Sequence, residues 1–176
     1  MKSAVAFLKK ILLVIELFFA IVIINWEKSL FIGIIALDQF LKMKVTSSMI
    51  VGESIPIIKN FFHFTYVLNP GAAFGILPNQ RVFFLLTGFA LLLATAYFYP
   101  RLKKYSKIFK FGVLSLVSGS ASNLIDRFQT GYVVDFLDFR IWPIFNVADV
   151  AIVLGMFIVI YFVAFKMKDD KLEAKF

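Results

Sequence analysis

The chain has 176 residues, of which 61% are hydrophobic and 23 are phenylalanine, and its mean hydropathy is +0.87. Soluble domains run at about 45–50% apolar, so this composition excludes an ordinary soluble domain and fits one membrane bundle of about four spans. The absence of cysteine excludes disulfides, a cysteine nucleophile and a thiolate metal site, and the net charge of +8 is distributed as a topology signal rather than a nucleic-acid footprint.

Residues 1–28 begin with MKSAVAFLKK and then ILLVIELFFAIVIIN, which resembles the charged and apolar regions of a signal peptide. No small-residue cleavage site follows, because the run ends in Asn25, Trp26, Glu27 and Lys28. A crossing here would invert everything downstream, so a non-spanning or obliquely embedded N-terminal apolar extension is expected, unless the N-terminus starts outside. The first core span is expected at 29–41, closed by Asp38 and Lys42. Residues 45–68 read as extended, with Phe62, Phe64, Tyr66 and Leu68 alternating with His63, Thr65, Val67 and Asn69. That period of two suits a strand on the outer membrane surface. The second span is 82–99, stopped by Pro100. The third is 108–125, where Ser115/Gly119 and Ser118/Ser122, each four apart, permit close helix approach. The fourth is 150–165, so the core is expected over 29–165, with 166–176 as a basic cytoplasmic tail.

Five Lys and Arg fall between Arg101 and Lys110, and four between Lys166 and Lys175, each cluster directly after an apolar run. This is the positive-inside pattern, and such clusters also suit anionic lipid. The stretches 42–81 and 127–148 are then expected outside.

Two acids stand out against this background. Asp135 in GYVVDF and Asp149 in FNVAD are 14 residues apart at the two sides of one short connection. An ionisable group costs about 2.5–3.5 kcal/mol at mid-bilayer and less toward the interface, so each is a candidate functional residue. Paired carboxylates that cannot both ionise can share a proton and activate a water, which points to an intramembrane aspartyl protease. The expected topology brings further polar residues to the same outer interface: Asp38 and Lys42, Asn69 and Gly71, Asn123, Asp126 and Arg127, and Asn146.

Structural readings stand beside the functional ones. Asp38 and Lys42 suit either a snorkelling i,i+4 ion pair at a helix end or a substrate contact. Asn123, Asp126 and Arg127 share one helix face and suit an orienting network. Asn146 three residues before Asp149 has the form of a capping box. Asp135, between Val134 and Phe136, has no obvious partner, and Asp138 is a second candidate by composition. His63 is the only histidine. One histidine excludes an HExxH metalloprotease and leaves a Ser-His-Asp triad without a nucleophile motif. A proton-coupled carrier would place acids at several depths. A purely structural subunit would need neither NPGAAF nor the 135/149 pair.

NPGAAF at 69–74, NLIDR at 123–127, VVDF at 133–136 and FNVAD at 145–149, in this order, resemble the signature of the lipoprotein signal peptidase (signal peptidase II) family. DQFLK at 38–42 resembles its first-helix motif, with Leu41 in place of the usual Thr. Ser122 stands where a Gly usually precedes Asn123, and the stretch between Asp135 and Asp149 is short. The resemblance covers residues 29–165. It implies a four-helix transmembrane bundle of the bacterial inner membrane with a small extracytoplasmic β-cradle. The implied activity is aspartic endopeptidase cleavage of prolipoproteins before a diacylglyceryl-modified cysteine. By motif position it implies Asp135 and Asp149 as the catalytic pair. Asp38, Lys42, Asn69, Gly71, Asn123, Asp126, Arg127 and Asn146 would line and support the site. It implies no metal or cofactor, and prolipoproteins and membrane lipid as partners; nucleic acid is not expected, and a monomer is.

Overall fold

The computed structural model describes residues 25–72, 76–102 and 104–166, so the extension over 1–24 and the tail from 167 lie outside the described residues. In chain order the elements are α1 (Trp26–Ser48), β1 (Ser54–Ile58), β2 (Phe62–Asn69), α2 (Arg81–Leu102), α3 (Lys107–Gln129), β3 (Val133–Asp138) and α4 (Val147–Tyr161). A π-helical turn, Phe162–Lys166, continues α4. This is the expected helical bundle with one small sheet. Among the described residues, α2, α3 and α4 with its extension are long and apolar enough to cross a membrane. The fourth helix, α1, has 23 residues and at 1.5 Å per residue reaches about 34 Å, although it carries charges along its length.

Local chemistry sets the helix starts. Ser106 caps α3 by accepting the Phe109 N–H, and Asn146 caps α4 in a full capping box with Asp149. α3 is the central helix and supplies more buried residues than any other element, whereas α2 has no fully buried residue and only one face, including Phe84, Gly88 and Leu91, is partly covered. The α3–α4 contact depends on glycine. A Cβ on Gly155 would stand 2.5 Å from the Gly112 carbonyl oxygen, closer than any side chain tolerates, so the two backbones meet only because both positions are bare. The expected close approach of the small-residue helix is thus realised, with Gly119 packed on the first turn of α4.

The sheet is antiparallel in the order β1-β2-β3, with Val67 opposite Asp135 and His63 opposite Asp138. Val134 and Phe136 pack with Val45 and Tyr66 in a small core, which anchors the sheet to the end of α1.

Several sequence expectations are corrected. The first span does not end at Lys42. α1 runs from Trp26 to Ser48 because its central charges are neutralised inward rather than exposed at an end. Residues 45–48 are therefore helical rather than extended, and the extended stretch is two strands. The alternation along β2 is interrupted by a register shift between Phe64 and Val67, so that Thr65 and Tyr66 are both buried. Asp135 lies in a strand, β3, rather than in a loop.

Candidate active site

Asp38, Gln39 and Lys42 on α1 and Ser122, Asn123 and Asp126 on α3 follow the same spacing of i, i+1, i+4, and the structure docks one set on the other. Ser122 donates to Asp38 at 2.7 Å, Gln39 donates to Asp126 at 2.7 Å, and Lys42 donates to Asn123 at 2.8 Å. Residue 38 meets 122 and residue 42 meets 126, so α1 and α3 run in the same direction.

Lys42 is the hub. Its Nζ lies 2.7 Å from Asp38 Oδ2 and 2.7 Å from Asp126 Oδ2, and with Asn123 all three of its protons are taken. The residue is 3% exposed, so the expectation of a snorkelling pair at a helix end gives way to a buried ion cluster at mid-helix. Burying one cation with two carboxylates is tolerable only because further N–H donors complete the carboxylates. Asp38 accepts the Ala148 N–H at 2.9 Å on its other oxygen, and Asp126 accepts from Gln39 and from the Val134 N–H at 3.2 Å.

The cluster orients two amides. The Asn123 oxygen is occupied by Lys42, so its nitrogen faces Asp149 Oδ1 at 2.8 Å. The Asn146 oxygen accepts the Asp149 N–H, so its nitrogen faces Asp135 Oδ1 at 2.7 Å. A third amide completes the set: Asn69 accepts the Gly71 N–H and donates to Asp135 Oδ2 at 2.9 Å. Asp135 thus has two partners, contrary to the expectation of none. Strand alternation explains the difference, because Val134 and Phe136 turn to the opposite face of β3. Asp149 Oδ2 accepts the Asn146 backbone N–H at 3.1 Å, so the capping box and the carboxylate site are the same residues. Asn146 touches both carboxylates and joins them.

Burial pushes the Asp135 carboxyl up to about 7, and the charge of Asp149 adds to the rise. Asn69, Lys42 and Asn146 pull the other way. Arg127 donates to the Gly71 carbonyl at 2.6 Å and stacks 4.5 Å from the centre of the Phe84 ring, tying the 69–72 turn to α2 and α3.

Asp135 and Asp149 both line a cavity of about 660 Å³ together with Asn69, Asn123 and Arg127. Most of its wall is apolar and comes from α2, α3, α4 and residues 142–145. Asp38, Lys42, Asp126 and Asn146 stand behind it, and Gly71 contributes backbone only.

Asp138 lies apart, bonded to Thr65 at 2.7 Å and to Arg140 at 2.9 Å. Burial raises its carboxyl, but the Thr65 hydroxyl and the Arg140 N–H groups outweigh that and hold it below the usual range. His63 contacts Ser54 at 3.0 Å on the sheet and does not reach the cavity residues. Sequence reasoning missed Gln39, although the matching i, i+1, i+4 polar faces of 38/39/42 and 122/123/126 carried that signal. In the sequence Ser122 reads only as a small residue. Among the described residues no group of acids and histidine could hold a metal ion.

Residues 30–165 match the family described as signal peptidase (SPase) II. The lipoprotein signal peptidase of Desulforapulum autotrophicum is 41% identical over 146 residues, covering 78% of this chain and 90% of that protein. That of Halothermothrix orenii is 46% identical over 130 residues, covering 73% and 88%. A bacterial membrane enzyme solved by the in meso method at 2.3 Å superposes with a TM-score of 0.77 at 31% identity, covering 83% of this chain and 92% of that one. With the motif residues gathered around one cavity and the match spanning the whole bundle, the chain belongs to the signal peptidase II family of membrane proteases.

Proposed function

We propose that this family member is an aspartyl endopeptidase of the bacterial inner membrane that releases signal peptides from prolipoproteins. It cleaves before a diacylglyceryl-modified cysteine, with Asp135 and Asp149 as the catalytic pair. The observation that carries this reading is that both carboxylates face one largely apolar cavity and are joined by Asn146. Acyl chains seated in such a cavity contribute roughly 0.8 kcal/mol per buried methylene, enough to make the lipid the dominant part of recognition.

Below about pH 7 the pair holds one proton, and the raised carboxyl of Asp135 is its natural site, leaving Asp149 as the anion. A water between them gives a proton to Asp149 as its oxygen attacks the scissile carbonyl carbon. Asp135 donates a hydrogen bond to the carbonyl oxygen as that oxygen gains charge. Collapse of the tetrahedral intermediate breaks the C–N bond, and the amine leaves with the proton from Asp149. The remaining polar residues hold this geometry: Asn69, Asn123 and Asn146 directly, and Asp38, Lys42, Asp126, Arg127 and Gly71 through them.

The parallel run of α1 and α3 and the basic clusters at 101–110 and from Lys166 support cytoplasmic placement of those clusters. The sheet and the catalytic pair then lie at the extracytoplasmic face. The peptidase core spans 29–165, flanked by the 1–28 extension and the basic cytoplasmic tail from 166. A monomer is proposed.

The test is incubation of the purified protein with a diacylglyceryl-modified lipobox peptide and its unlipidated twin. Cleavage before the cysteine of the lipidated peptide alone is expected. Equal cleavage of both, or of neither, overturns the reading.

A further inference from the structure

Gln39 and Ser122 have no part in the roles proposed above, yet they sit at the centre of the α1–α3 contact. A buried serine within a helix ordinarily returns its hydroxyl to its own backbone. Ser118 does so, donating to the Leu114 carbonyl at 2.7 Å. Ser122, one turn later and equally buried, does not: its proton crosses to Asp38 Oδ2 on α1 at 2.7 Å. Gln39 Nε2 lies 3.1 Å from Ser122 Oγ, 3.2 Å from the Ser122 carbonyl oxygen and 2.7 Å from Asp126 Oδ1. A hydroxyl has one proton, so a donor placed on its oxygen leaves that proton for the acceptor opposite. The other oxygen of Asp38 accepts the N–H of Ala148, the residue before Asp149 in the first turn of α4.

We infer that Gln39 and Ser122 are positioning residues that set the catalytic Asp149. Gln39 directs the Ser122 hydroxyl to Asp38, and Asp38 fixes the first turn of α4. The inference rests on the reading that Asp149 is catalytic. Without the relay, Lys42 alone holds Asp38 Oδ2, and the carboxylate is free to turn away from the Ala148 N–H. A general base displaced by a fraction of an ångström loses rate without losing substrate affinity, because the apolar wall that holds the lipid is unchanged.

The test uses the full-length enzyme in detergent with a lipidated peptide substrate, and a non-cleavable lipidated peptide to count binding sites. Ser122→Ala and Gln39→Met are each expected to lower kcat per site roughly tenfold with KM within about twofold. The double variant is expected to lose no more than either single one, since both break the same relay. Ser118→Ala is expected to retain wild-type kcat per site. Wild-type kcat per site in Ser122→Ala and Gln39→Met, with or without fewer sites, overturns the inference, as does a multiplicative loss in the double variant. Asp149→Asn separates the two claims. If it is inactive while the relay variants are normal, the relay alone fails, and if it is active, the catalytic reading itself fails.

Discussion

Asn123 donates its side-chain amide to Asp149 at 2.8 Å, and the amide has only this orientation because the Lys42 ammonium occupies its oxygen. A buried cation on the first helix therefore governs how a carboxylate on the fourth is held. The same logic runs through Asn146 and Asn69, whose oxygens are occupied by the Asp149 and Gly71 backbone N–H groups, so the polarity of the site is dictated by what holds each amide oxygen.

Replacing either member of the proposed pair is expected to remove the chemistry. Asp135→Asn and Asp149→Asn are each expected to lower kcat by roughly 10³-fold or more, as loss of one member of a cooperating unit does. Binding of a non-cleavable lipidated peptide is expected to stay within a few-fold. Near-normal cleavage by either variant would refute the aspartyl mechanism.

The pH dependence follows from Asp135. Its carboxyl is raised to about 7, so it carries its proton below that value and loses it as the pH rises through it. Turnover that needs the proton on Asp135 is therefore expected to decline on an alkaline limb centred near pH 7. The check is kcat against pH on detergent-solubilised enzyme. A flat profile from pH 6 to 9 would contradict the assignment.

Lys42→Met leaves Asp38 and Asp126 buried without their cation. Breaking a buried ion cluster from one side costs about 3–5 kcal/mol. Thermal unfolding in detergent is expected to show a large loss of stability together with loss of activity, and an unchanged midpoint would contradict the hub role.

Asp138→Asn tests the acid that lies apart from the cavity. Its bonds to Thr65 and Arg140 are expected to contribute about 1 kcal/mol, discounted because the Arg140 side chain is half exposed. Its carboxyl is held below the usual range, so this contribution is present above the ordinary carboxylate range and is lost as the pH falls. Slightly lower stability at pH 7 with wild-type turnover per site is expected. Loss of turnover in a folded variant would place Asp138 in the chemistry.

Reporter fusions at Lys104 and Ser54 are expected to report opposite sides of the membrane. The same side for both would contradict the four-span core.

The sequence by itself determined the class and nominated the candidate residues. Hydropathy over long windows finds helices such as Arg81–Leu102 because lipid rewards every apolar residue, and acids in an apolar chain stand out because their cost is borne only for a reason. The motif order NPGAAF, NLIDR, VVDF and FNVAD was enough to nominate Asp135 and Asp149 as the proposed pair. Only the tertiary structure decided how those residues are held. The end of α1 was misplaced because a charge inside a helix reads as a terminus until its partner is known, and the partners of Asp38 and Lys42 lie 81–84 residues away on α3. The partners of Asp135 were invisible for the same reason, since strand alternation sends Val134 and Phe136 to the core and leaves the carboxylate to Asn69 and Asn146. Hydrogen bonds between elements are set by helix docking, and helix docking here depends on bare backbone at Gly112 and Gly155, which periodicity in one segment cannot express.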